Sequence, residues 1–124
     1  MAIKFESAAE SYAAVAVMIV TSDKEYSMAE GHQIWVNIVK DYSVFEGHNF
    51  TELQDKVLNM FNKNDMNTPF TPEEVSTIVS ATKEILNPEL RQQVYEMAVS
   101  LSKSDNVGQD VEEKILTQLK NELL

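Results

Sequence analysis

The sequence predicts an all-α fold: a single domain over residues 1–124, built as a bundle of about six helices. Three observations carry this reading. Apolar residues recur at steps of three and four almost throughout. No stretch sustains the two-residue alternation of a half-buried strand. Helix-start signatures recur with short connections between them, which leaves no room for a sheet.

In the first helix Phe5, Ala9, Tyr12, Ala16 and Ile19 step along one face, which predicts a helix running to about residue 21. Ser27 with Glu30 forms a capping box for a second helix that carries Ile34, Trp35, Ile38 and Tyr42. A loop over 43–48, containing Gly47, leads to a third helix with Phe50, Leu53, Val57, Met60 and Phe61 facing inward. Residues 62–70 (NKNDMNTPF) are the most polar and turn-rich stretch and are expected to be a mobile loop.

Thr71-Pro72-Glu73-Glu74 then combines a cap, a proline at the first helical position and early acids. It opens a fourth helix bearing Val75, Ile78, Val79, Ile85 and Leu86. Asn87-Pro88-Glu89 repeats the signature for a long fifth helix with Leu90, Val94, Met97, Ala98 and Leu101. Asp110 with Glu113 is expected to cap the last helix, whose inward residues are Ile115, Leu116, Leu119 and Leu123.

Composition narrows the function classes. Ten basic residues stand against 20 acidic ones, a formal net charge of −10. Such a field repels phosphate backbones, and no basic stripe offsets it, so nucleic acid is not an expected partner. It suits cations, a protein partner of basic character, or solubility alone. The absence of cysteine removes disulfides, zinc–thiolate sites, iron–sulfur clusters and cysteine nucleophiles. The apolar run at 13–20 is far shorter than the roughly 20 residues that span a bilayer. Its flanks do not suit a secretory leader: Lys4 is outweighed by Glu6 and Glu10, and no small-x-small cleavage site follows. A cytoplasmic location without membrane insertion is expected.

One feature recurs. A shift of 82 residues lays Ala16-Val17 on Ala98-Val99, Ser22-Asp23 on Ser104-Asp105 and Glu30 on Glu112. Tyr12, Val15 and Ile19 fall on Val94, Met97 and Leu101. Each half thus has an amphipathic helix, a Ser-Asp pair at its end, a short turn, and a Glu seven residues beyond the Asp. After the turn the register slips by one, because Ile34 and Ile38 match Ile115 and Leu119. If the halves pack with approximate two-fold symmetry, Asp23, Glu30, Asp105 and Glu112 converge. Four converging carboxylates repel unless protonated or neutralised, and a hard divalent cation, calcium or magnesium rather than zinc, is the natural neutraliser. Acids at helix junctions also occur for capping and for the helix dipole alone, without any ligand.

This double pattern resembles the TerB-like family of bacterial tellurite-resistance and stress proteins, whose repeated signature reads approximately Ala-Asp-Gly-x-Ile-Ser-x-x-Glu. The residues that carry the resemblance run from Ser22 to Glu30 (SDKEYSMAE) and from Ser104 to Glu112 (SDNVGQDVE). Asn87-Pro88-Glu89-Leu90-Arg91 is similar to the family's entry to its penultimate long helix, so the similarity covers nearly the whole chain. It implies an all-helical bundle with pseudo-symmetric halves, an acidic metal-binding centre and a role in tellurite-type or stress response. Similar domains at the amino end of membrane-linked J-domain co-chaperones imply interaction work rather than catalysis. The chain departs from the pattern at Lys24 and Asn106, which stand where the family has glycine, and at Ser22 and Ser104, which replace alanine. Lys24 brings a cation beside the expected metal site, and Gly108 replaces an apolar turn residue.

Other chemistry finds little support. Loops starting at Asp23, Asp65 or Asp105 lack the glycine and glutamate of a calcium-binding EF-hand: their twelfth residues are Ile34, Ser76 and Leu116. His32 and His48, the only histidines, have no metal-ligand spacing, and His32 is expected to be half-exposed. No glycine-rich phosphate loop or nucleophile elbow is present. The acids include none set apart as a general base, so the expectation is a non-enzymatic protein. The runner-up is an acidic interaction module without metal, with a homodimer among its options; Met28 and Met66 would lend it an adaptable surface.

Overall fold

Every residue from Ala9 to Val20 of helix α1 (Ala8–Val20) is buried, the polar Glu10 and Ser11 included. A helix apolar all round has to be covered on all sides. In the computed structural model, which describes residues 3–21, 28–64, 68–104 and 109–124, α1 is that covered helix. The side chains at 28–30, 103–104 and 109–112 lie outside this description. Around α1 sit α2 (Met28–Val39), α3 (Phe50–Met60), α4 (Pro72–Ile85) and α5 (Pro88–Ser104), while α6 (Gln109–Leu123) closes against α4 and α5. A 3-10 turn at Ser43–Phe45 joins α2 to α3 and touches α1. The described residues form helices and connections with no strand, an all-α helical bundle as predicted.

The small residues Ala9, Ala13, Ala14 and Ala16 let neighbours approach α1 closely, and Val15, Met18 and Ile19 fill the gaps between them. Each such buried side chain contributes roughly 1.5–3 kcal/mol from water exclusion. The first helical residue differs from the sequence expectation: Phe5 precedes the helix. Ser7, extended, caps α1 by accepting the Glu10 N–H through Oγ at 3.2 Å. At the other end the buried Thr21 hydroxyl donates to the Val17 carbonyl at 2.8 Å, which gives that hydroxyl its partner.

The predicted starts of α4 and α5 are found as read. Thr71 and Glu74 form a reciprocal capping box, and Asn87 Oδ1 accepts the Leu90 N–H at 2.9 Å. Asn49 does the same for α3. The caps expected at Ser27 with Glu30 for α2 and at Asp110 with Glu113 for α6 lie outside the described residues, α6 being described from Gln109. Helix α2 ends at Val39, and Tyr42 precedes the 3-10 turn instead of extending the helix. There Tyr12, Trp35, Tyr42, Phe45 and Phe50 form an aromatic cluster with centroids 5.1–6.2 Å apart.

The ends of the loop predicted to be mobile are tied down. Phe61 and Phe70 stack edge-on at 5.3 Å, and Lys63 lies 4.7 Å over the Phe70 ring while pairing with Glu74 at 3.1 Å. Asn62 turns the chain out of α3 with φ 57, the left-handed conformation that asparagine tolerates. These aromatic and charge contacts join the two described ends of the loop. Residues 65–67 lie outside the described residues.

The sequence echo falls on two helix pairs. Shifted by 82 residues, α1 and α2 lie within the bounds of α5 and α6, and within each pair the helices pack together. The matched positions Tyr12/Val94, Val15/Met97, Ala16/Ala98 and Ile19/Leu101 are all buried. Their environments differ on the opposite face. Ala14 and Met18 are buried, whereas their counterparts Glu96 and Ser100 are exposed, because α3 and α4 cover α1 on a side that α5 leaves to solvent.

Candidate functional site

Of the four carboxylates expected to hold a cation, the structure describes the backbone of two. Glu30 is in the first turn of α2 and Glu112 in the first turn of α6, each with its backbone helical. Asp23 and Asp105, together with the side chains of Glu30 and Glu112, lie outside the described residues. Of the four helices concerned, α1 packs on α2 and α5, α2 packs on α5, and α5 packs on α6. The N-terminal halves of α1 and α5 meet at Tyr12, whose hydroxyl donates to Gln93 Oε1 at 2.6 Å and lies 3.1 Å from the Leu90 carbonyl. Burial first, and the neighbouring Tyr42 second, push the Tyr12 phenol well above the usual tyrosine range, so it stays a neutral donor. Among the described residues no three or more histidine, aspartate or glutamate side chains gather so as to hold a metal ion.

A second constellation is fully described and was not singled out in the sequence. Glu10, almost entirely buried at the start of α1, engages both carboxylate oxygens: Oε1 accepts the Glu6 N–H at 3.0 Å and Oε2 accepts from Lys56 Nζ at 2.8 Å. Lys56, from α3, also donates to Glu6 Oε1 at 2.7 Å. Its two acceptors, Glu10 first and Glu6 second, hold the Lys56 ammonium well above the usual lysine range, and the Lys56 hydrogen bond holds Glu6 below the usual carboxylate range. Glu10, Lys56, Glu52, His48 and Asn49 line a cleft of about 220 Å³ beside Gly47. With both Glu10 oxygens committed, this carboxylate is an anchor and is not set up as a proton acceptor. The signal was present in the sequence: an acid inside an otherwise apolar helix needs a cationic partner when buried.

Gln54 is the other missed polar centre. It is 3% exposed, and its Oε1 accepts from Trp35 Nε1 at 2.7 Å and from His32 Nδ1 at 2.9 Å. That shared acceptor puts the proton of a neutral His32 on Nδ1 and the lone pair on Nε2. His32 is half-buried, as expected, edge-on to Trp35 at 5.8 Å. No protein-family model matches this chain, and no curated protein or solved structure shows significant similarity to it. No helix of the described residues is long and apolar enough to cross a membrane.

Proposed function

We propose that this chain is a non-enzymatic TerB-like domain that acts in stress or tellurite-type metal response through an acidic surface. A divalent cation, calcium or magnesium, would be held by oxygens of Asp23, Glu30, Asp105 and Glu112. The observation that carries the reading is the repeated helix pair. The 82-residue echo coincides with α1–α2 and α5–α6, each pair packed together, and in the sequence the Ser-Asp motif follows the apolar run of the first helix while the Glu falls in the first turn of the second. Paired acids on repeated elements are the arrangement in which mutual repulsion is relieved by a shared hard cation.

Calorimetric titration with calcium, magnesium, manganese and zinc tests the cation. Binding by the wild type that is lost in an Asp23→Asn/Asp105→Asn double variant supports it. No binding, or equal binding by the variant, rejects the metal site. The net charge of −10 favours a second reading, an acidic module that recognises a basic protein surface without metal, with a homodimer as its self-associating form. Association that weakens with salt but is indifferent to chelator separates that reading from the first.

A further inference from the structure

Residues 3–7 precede α1 without helical structure, yet they are not free. Phe5 is buried in the core at 6% exposure, Ile3 packs against the core, and Lys4 and Phe5 line a cleft of about 230 Å³ with Ala81, Glu84 and Ile85 of α4. On its other side the segment reaches α3, where Glu6 meets Lys56. Residues 3–7 thus bridge α3 and α4 across the start of α1.

The fastening is unequal in kind. Among the described residues, Ile3 to Phe5 make no hydrogen bond, and the segment's polar ties begin at Glu6. Besides the Ser7 cap on α1, those ties run through two carboxylates and one ammonium. Glu10 Oε1 holds the Glu6 N–H, Glu10 Oε2 holds Lys56, and Lys56 holds Glu6 Oε1. Glu10 is nine-tenths buried, whereas the Lys56 side chain is 44% exposed and the Glu6 side chain 75% exposed. The outer arm of the latch is therefore open to screening by salt, while the inner arm is fixed to the core.

We propose that residues 3–6 form a strap, hinged at the Ser7 cap and latched by Lys56, which opens as a unit between α3 and α4 while the helical bundle stays folded. Opening withdraws Phe5 from the core and uncovers the α4 cleft at Ala81 and Ile85. Segments with few hydrogen bonds and an exposed electrostatic clasp open at lower free energy than the core they cover.

Native-state hydrogen exchange followed residue by residue tests this. The Glu6 amide, bonded to the Glu10 carboxylate, reports the latch, and the amides of Val94, Ala98 and Leu101 report the bundle. Glu6→Gln is expected to speed exchange at Glu6 on the order of tenfold, with the α5 amides unchanged. High salt on the wild type is expected to do the same in smaller measure, and Lys56→Met in larger measure. Lys56→Met also strands Glu10, so the Glu6→Gln variant decides. Exchange at Glu6 that stays unchanged, or that rises only in step with α5, overturns the strap.

Discussion

Trp35 and Gln54 are joined by a 2.7 Å hydrogen bond from the indole nitrogen to the amide oxygen, with both residues buried and on different helices. The bond pins α2 to α3 at the edge of the aromatic cluster and gives the only polar side-chain atom of Trp35 a partner. Gln54→Leu keeps approximate volume but strands the indole N–H. A loss of about 1–3 kcal/mol in denaturant unfolding is expected. Trp35→Phe in the same background should cost less than it does in the wild type, because the acceptor is already gone and the substitution removes a stranded donor; additive losses would show that the bond contributes nothing.

Helix α1 should be intolerant in both directions of volume. Met18, fully buried, is expected to cost about 2–5 kcal/mol on truncation to alanine. Ala14→Leu, at a fully buried position covered by neighbouring helices, is expected to cost about 1–3 kcal/mol through overpacking. The equivalent change at Glu96, which the 82-residue shift places opposite Ala14 and which is exposed, should change stability by less than about 0.5 kcal/mol. Thermal or urea unfolding of the three variants checks the ranking.

Alkaline pH should loosen the bundle through Tyr12. Its folded-state pKa is raised, so the folded protein keeps a proton that the unfolded chain releases above the ordinary tyrosine value of about 10. Stability from this group is fully present below about pH 10 and falls as pH rises beyond it. Tyr42 is shifted the same way, by burial and then by the Glu96 charge, and adds to the slope. Urea midpoints measured from pH 8 to pH 11 should fall at the alkaline end, and Tyr12→Phe should flatten that fall at the cost of the bond to Gln93.

The start of α4 should be sensitive to acid. Burial raises the Glu74 pKa, but the Thr71 backbone hydrogen bond and Lys63 outweigh it, leaving Glu74 below the usual carboxylate range. A lowered pKa contributes stability above the unfolded value of about 4.3 that is lost as pH falls below it. Thr71→Ala removes the other half of the box and is expected to cost about 0.5–2 kcal/mol at neutral pH. Comparison of the acid limbs of wild type and Glu74→Gln measures the carboxylate's share.

Several local signals were legible in the sequence. The Thr71 box, the Asn87 cap and the helical spacing of Val94, Met97 and Leu101 each depend on neighbours within one or two turns, and each appears in the structure as read. The candidate cation ligands were legible as a repeat, because a repeat is a property of order along the chain. The clusters at Gln54 and Lys56 were not, since Trp35 and Gln54 are 19 residues apart and Glu10 and Lys56 are 46 apart. A polar residue on an inward face announces that it needs a partner without saying which.

The amino-acid sequence by itself determined the helices of this protein, the Thr71 and Asn87 caps and the echo between its two ends, because those follow from periodicity and short-range hydrogen bonding. Tertiary structure alone decided that α1 is enclosed while α5 keeps an exposed face, although the two share a pattern. Burial depends on what covers a helix, and the α3–α4 cover is supplied by the part of the chain between the repeats. It also decided that Phe5 leaves the helix its spacing suggested to fill a core site ahead of the Ser7 cap, where apolar burial and the Lys56 latch together hold it.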